Sequence, residues 1–260
     1  MPSRLGDARS AGSNRLRLGL GDLDRVLGGG LAGGSLTLLA GAPGIGKSTL
    51  LLQAAAEVVA RGERVLYASG EESAAQVRVR AERLGGASAE VLFLAEHGAE
   101  RIVEAATVAR PGLLCVDSIQ TALCEETSSA AGSVSQVRES AAVFQAYAKR
   151  SGTPTVLVGH VTKGGGIAGP RTLEHLVDAV LVFEALQGED ARVLRARKNR
   201  FGRVGEMAVY RMASTGLEPI PDPARAALDR RGSGPGSTLT LSLEGARPVA
   251  VEVQALTTAS

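Results

Sequence analysis

The sequence predicts an α/β protein with a mostly parallel central sheet, helices on both faces and antiparallel strands at its C-terminal side. Three observations predict it. Short, nearly continuous apolar runs at 35–40, 64–69, 113–117 and 155–160 alternate with longer helical patterns, as in parallel strands buried on both faces. The run Gly41-Ala42-Pro43-Gly44-Ile45-Gly46-Lys47-Ser48-Thr49 joins the first of these strands to a helix and fits the spacing Gly, four residues, Gly-Lys-Ser. Beyond residue 176, three strand-like runs follow one another without a helix between them.

In chain order, residues 1–14 are polar and rich in Gly and Ser, and are expected to be disordered. A short helix at 21–27, capped by Asp22, stops at Gly28-Gly29-Gly30. The strand at 35–40 and the glycine-rich loop lead into a helix that runs to about Arg61-Gly62. After the second strand, Ser73 caps a helix that ends at Gly85-Gly86. A third strand at 91–94 and a helix near 100–109 precede the strand 113–117. Residues 118–132 are small and polar and predict a mobile loop. The helix 133–149 carries Val134, Val137, Ala141, Phe144 and Ala148 on one face. The strand 155–160 opens into a Gly-rich loop at 162–171, and strands are expected at 176–184, 191–198 and 204–212. Residues 221–236 read as a linker, and alternation resumes from 238 to 256 as if another domain began there.

Composition bounds the function. Of 260 residues, 44% are hydrophobic but only 3% aromatic, so the core is built from Val, Leu, Ala and Ile. A net charge of +2 does not by itself argue for a nucleic-acid partner. The sequence has no apolar run of transmembrane length and no signal-peptide stretch, so the cytoplasm is the expected location. Cys115 and Cys124 lack metal-site spacing, and Cys115 reads as a core residue. Only four lysines occur among the 29 cationic side chains: Lys47, Lys149, Lys163 and Lys198. Lys149 fits a helix C-terminus; Lys163 and Lys198 become candidates for a specific role.

The glycine-rich run is a phosphate-binding loop by its chemistry. Its backbone N–H groups converge on phosphate, Lys47 reaches the β and γ oxygens, and Ser48 holds Mg²⁺. Asp117 ends an apolar strand, where a carboxylate orients Mg²⁺ and its waters. Glu71 and Glu72 follow the second strand, taken to lie beside the phosphate-loop strand, where a carboxylate can polarise attacking water; Glu71 is preferred. A solvated helix-start pair is the competing reading. His160, at the end of the strand 155–160, is placed to sense the γ-phosphate and relay it to the next loop, or else to serve structure alone.

Together these stretches resemble the bacterial RadA (Sms) family of the RecA/DnaB superfamily. The resemblance is carried by Gly21-Asp22-Leu23-Asp24-Arg25-Val26-Leu27-Gly28-Gly29-Gly30, by the phosphate loop, by Ser69-Gly70-Glu71-Glu72-Ser73 and by Asp117-Ser118-Ile119-Gln120-Thr121. Gly132 to Glu139, Val158-Gly159-His160-Val161-Thr162-Lys163 and, most specifically, Lys198-Asn199-Arg200-Phe201-Gly202 extend it to residues 17–256. It implies a RecA-like P-loop ATPase core over 15–220, in a hexameric DNA-dependent ATPase that moves along single-stranded DNA and promotes branch migration in recombinational repair. ATP and Mg²⁺ are the implied ligands, and single-stranded DNA, further copies of the chain and recombination proteins such as the RecA recombinase are the implied partners. Lys198 and Arg200 would reach the γ-phosphate of a neighbouring subunit; their shared parity on a strand is compatible with that. The loops 118–132 and 162–171 would face DNA, with Lys163 and Arg171 following the phosphate backbone without reading sequence.

Two departures stand beside the resemblance. The family's four-cysteine zinc finger is missing, so no zinc site is expected, and of its Lon-protease-like domain only the first strands occur, at 237–260. The chain is therefore expected to be a piece of a longer protein. A rival reading is a regulatory ATPase similar to the KaiC clock proteins, which assembles with proteins and does not bind DNA. The signature at 198–202 and the Gly-rich loop favour the DNA enzyme.

Overall fold

The computed structural model describes residues 15–160, 172–186, 190–221, 237–244 and 247–255. β1 (Arg15–Leu16) and β2 (Leu31–Ala32) form a two-residue antiparallel ladder around α1 (Gly21–Val26). There follow β3 (Leu36–Gly41), α2 (Lys47–Ala60), β4 (Val65–Ser69), α3 (Ala74–Leu84), β5 (Leu92–Ala95) and α4 (Ala99–Ala109). Next come β6 (Leu113–Asp117), α5 (Val134–Ser151), β7 (Thr155–His160) and α6 (Thr172–Leu176). β8 (Ala179–Ala185), β9 (Ala191–Asn199), β10 (Met207–Ala213) and β11 (Gly216–Pro219) complete the main body. β12 (Ser237–Glu244) and β13 (Arg247–Gln254) pair with each other as a hairpin.

The nine-stranded sheet runs β11-β10-β9-β8-β3-β7-β6-β4-β5. From β8 to β5 every pairing is parallel, and β8 to β11 pair antiparallel, as the fold class predicts. Alternation along the strands splits the core into two layers. Leu39, Val65, Tyr67, Cys115, Val158 and Phe183 face α1, α2 and α3. Leu38, Ala40, Leu66, Val116, Leu157 and Val182 face α4, α5 and α6. β3, β6 and β7 are buried almost end to end, which is why they read as continuous apolar runs.

The local signals act as expected at α3. Ser73 Oγ accepts from Gln76 N, and Gln76 Oε1 accepts from Ser73 N at 2.8 Å, a capping box. Four expectations are corrected. Asp22 does not cap α1; Asp24 does the local work, its carboxylate accepting from Leu18 N at 2.7 Å and Gly19 N at 3.1 Å. Val134 is exposed, because it sits in the first turn of α5, before the helix meets the sheet. Leu176 belongs to α6, and the strand starts only at Ala179.

The fourth correction concerns 118–132, whose first half is part of the core. Ile119, Ala122 and Cys124 are buried. The buried Gln136 of α5 clasps the segment: its Oε1 accepts from Cys124 N at 2.8 Å, and its Nε2 donates to Thr127 O at 2.7 Å and Ser129 O at 3.0 Å. A buried amide fully used on backbone groups pins a loop that small polar residues alone would leave free. Exposure concentrates at 125–132. The expected segment 1–14, the expected Gly-rich loop at 162–171 and residues 222–236 of the expected linker lie outside the described residues.

Candidate nucleotide-binding site

Strand order assembles the site. β3 ends at Gly41, opposite His160 at the end of β7. β6 ends at Asp117, opposite Ser69 at the end of β4. The sequence β3-β7-β6-β4 therefore lines up the phosphate loop, His160, Asp117 and the Glu71-Glu72 pair along one edge of the sheet, around a cleft of about 540 Å³. β4 is not the neighbour of β3, contrary to the sequence expectation: β7 and β6 lie between them. Glu71 still reaches the cleft, because parallel strands end at the same edge.

The loop geometry demands its glycines. Gly46 adopts φ 111°, and a Cβ there would lie 2.9 Å from Met212 Cε. A Cβ on Gly41 would lie 2.6 Å from Phe183 O on the adjacent strand. α2 starts at Lys47, so its first N–H groups open into the cleft.

Lys47 is buried, and its ammonium donates to Gly41 O and Ala42 O, both at 2.9 Å. Its third proton faces His160 Nδ1 at 3.1 Å. With the ammonium donating, Nδ1 is the acceptor and the ring proton sits on Nε2, 3.6 Å from Glu71 Oε1. Burial lowers the lysine's proton affinity, opposed by the charges of Asp117 and Glu71. The loop's own carbonyls thus hold protons that suit phosphate oxygens.

Asp117 is buried at the end of β6. Burial raises its carboxyl above the usual range, against hydrogen bonds from Ser48 and Tyr67 that favour the ionised form. Tyr67 Oη donates to Asp117 Oδ2 at 2.5 Å, and burial, then the Asp117 charge, push the phenol well above its usual range. A carboxyl whose folded-state proton affinity is raised costs the folded protein stability as pH rises past the ordinary carboxylate range. Asp117→Asn is therefore expected to stabilise the nucleotide-free protein by about 1 kcal/mol, a melting shift of about 2–4 °C. A thermal melt at neutral pH checks it; a lowered melting point contradicts it.

The two glutamates differ. Glu71 Oε1 accepts from Ser118 Oγ and faces His160, with its side chain 40% exposed to the cleft. Glu72 is clamped by Arg80 of α3, whose Nη1 and Nη2 donate to its two oxygens at 2.7 and 2.5 Å. Arg80 and Arg83 of α3, and Arg192 and Met212 of the antiparallel strands, also line the cleft. Sequence reasoning missed all four. Arg80 had a faint signal, an eight-residue spacing from Glu72 across a capped helix; Arg192 and Met212 had none, since only strand order brings them to the loop.

Lys198 and Arg200 lie at the other end of the sheet. Lys198 Nζ donates to Glu174 O and to Val177 O, the latter at 2.6 Å, so it caps α6. Burial and Arg200 lower its proton affinity. Arg200 pairs with Asp178 at 3.2 Å, and Asp178 Oδ2 accepts from Leu36 N at the start of β3. From Leu36 to the phosphate loop the strand runs about 17 Å, beyond the reach of an arginine side chain. Neither cation can serve the nucleotide of its own chain. Lys163 and Arg171 lie outside the described residues.

Cys115 is buried in β6, as expected, and Cys124 donates to Glu100 Oε1 at 3.0 Å. Among the described residues, no group of three or more His, Cys, Asp or Glu side chains could hold a metal ion. Among them, too, no helix is long and apolar enough to cross a membrane.

Residues 20–166 match the family model described as AAA domain. The chain is 50% identical over 243 residues to the DNA repair protein RadA of Halalkalibacterium halodurans, covering 93% of this chain and 53% of that protein. It is 47% identical over 256 residues to the DNA repair protein RadA of Bacillus subtilis, covering 98% and 56%. With the DNA repair protein RadA of Streptococcus pneumoniae the identity is 45% over 258 residues, covering 99% and 61%. The chain thus spans little more than half the length of these relatives. The matched segment, the strand order and the phosphate loop agree with a RecA-like P-loop ATPase core, and the chain belongs to the AAA-domain ATPase family, among homologues of bacterial RadA.

Proposed function

We propose that this chain is the ATP-hydrolysing core of a DNA repair motor that acts on single-stranded DNA in branch migration, with ATP cleaved at interfaces between copies in a hexameric ring. One observation carries the reading: Lys47, Ser48, Asp117 and Glu71 converge at one sheet edge, while Lys198 and Arg200 stand at the opposite edge.

Lys47 trades its loop carbonyls for the β and γ oxygens of ATP, cradled by the backbone N–H groups of residues 44–49. The hydrogen-bonded pair Ser48 and Asp117 fits Mg²⁺, offering one hydroxyl and one carboxylate at the loop. When bound, Mg²⁺ neutralises charge on the β and γ oxygens. Glu71 accepts a proton from the water that attacks the γ-phosphorus; ADP leaves with its β-oxygen, and phosphate is the second product. Glu72, engaged by Arg80, is not the base. Lys198 and Arg200 of a neighbouring copy supply positive charge where it develops in the transition state. His160 senses the γ-phosphate through Lys47 and Glu71 and passes the change to the Gly-rich stretch expected at 162–171. There Lys163 and Arg171 hold the DNA backbone. The resemblance to RadA supports the RecA recombinase as a partner and the cytoplasm as the location.

The test is ATP turnover with and without single-stranded DNA at low salt. Stimulation is expected. Lys163→Ala and Arg171→Ala are each expected to reduce it and to lower the salt slope of DNA binding by about one. Turnover without stimulation, with no binding in a direct DNA titration, would turn the reading toward a regulatory ATPase.

A further inference from the structure

The residue behind Asp117 is chosen more narrowly than packing requires. Along β4, Val65, Tyr67 and Ser69 share the face toward α2 and α3, and an apolar side chain would satisfy the middle position. The position instead holds a fully buried phenol whose hydroxyl donates to Asp117 Oδ2 at 2.5 Å. A buried hydroxyl is costly unless bonded, so this pair is kept together. The ring stacks on Phe93, with centroids 6.5 Å apart and planes 21° apart. It also borders a cavity of about 360 Å³ beneath α3, walled by Val77, Ala81 and Val91. With open space beside the ring, the hydroxyl's bond to Asp117 contributes to where the ring sits.

Asp117 has two hydroxyl donors, Tyr67 and Ser48. Ser48 is itself a candidate for the metal: a lone pair of its hydroxyl can meet the ion while its proton still goes to the carboxylate. Tyr67 is the donor that has no place in the metal site and holds Oδ2 from behind the strand end. We propose that Tyr67 is a positioning residue that fixes the orientation of the Asp117 carboxylate, so that its other oxygen is presented to the Mg²⁺ of bound ATP. The proposal rests on the reading of Asp117 as the carboxylate that orients Mg²⁺. Tyr67 touches neither nucleotide nor metal; it acts by removing a rotation that the carboxylate would otherwise lose on binding.

The experiment titrates Mn²⁺ into the 260-residue chain saturated with a non-hydrolysable ATP analogue and follows bound metal by electron paramagnetic resonance. Tyr67→Phe keeps the ring and is expected to weaken Mn²⁺ binding about tenfold or more, with metal-free nucleotide affinity unchanged and ATP turnover recovering at high Mg²⁺. Phe93→Leu, which alters the ring's support and leaves the hydroxyl, is expected to keep native Mn²⁺ affinity. If Asp117→Asn binds Mn²⁺ as tightly as the native chain, the reading of Asp117 itself fails. If Asp117→Asn loses the metal while Tyr67→Phe retains native affinity, the positioning role is overturned. Equal losses in Tyr67→Phe and Phe93→Leu overturn it too, because packing and not the hydroxyl would then govern the carboxylate.

Discussion

Glu71→Gln is expected to lower ATP turnover by about 10²–10⁴-fold while ATP still binds. The amide keeps the side chain's size and can still accept from Ser118, so the loss isolates the missing proton acceptor. Glu72→Gln is expected to change turnover about threefold or less, on the scale of a released ion pair. The contrast follows from the partners: Glu71 meets one hydroxyl and an imidazole at the cleft, whereas both Glu72 oxygens are taken by Arg80. Single-turnover hydrolysis with pre-bound ATP checks it. A larger loss in Glu72→Gln than in Glu71→Gln would exchange their roles.

Arg200→Ala and Lys198→Ala are expected to bind ATP and to lose about 10³–10⁵-fold in turnover, the range for a cation supplied across an interface. A simple loss would not distinguish a role in trans from damage to the fold, since Lys198 caps α6 and Arg200 holds Asp178. Complementation does. Lys47→Ala is expected to abolish nucleotide binding while leaving Lys198 and Arg200 in place. Mixed with Arg200→Ala, it offers intact cations to an intact nucleotide site. Turnover of the mixture is expected to exceed that of either variant alone. A mixture as inactive as its components, or native turnover from either cation variant alone, overturns the assignment in trans.

The parts of this molecule visible in the sequence are those set by local physics. β3, β6 and β7 show because they are apolar on both faces, and α3 shows because Ser73 and Gln76 close a capping box. The phosphate loop shows because Gly46 needs its φ of 111° and Gly41 has no room for a Cβ. What did not show depends on elements meeting across the fold. The β1–β2 ladder is two residues long, too short for any periodicity. The small polar run after Asp117 concealed three inward side chains and a clasp from Gln136, which lies 7 to 12 residues beyond the backbone groups it holds. The Tyr67–Asp117 bond joins positions 50 residues apart, and Arg192 reaches the cleft only because β9 follows β8 back along the sheet. Glu71 is legible as a candidate from its place after a strand; β4 is not the neighbour of β3, but parallel strands share polarity, so Glu71 reaches the cleft all the same.

The separation of the phosphate loop and the pair Lys198 and Arg200 to opposite sheet edges also restricts assembly symmetry. A two-fold pair completes its sites only where the two chains lie antiparallel, each loop against the partner's cations, and such a pair is closed at two chains. A ring or longer row instead needs head-to-tail contact repeated in one direction, each loop meeting the next chain's cations. An open row of any length then ends with one nucleotide lacking its cations and one cation pair lacking a nucleotide. A closed ring leaves no such ends, so turnover per chain would rise as rows grow and level off when the ring shuts.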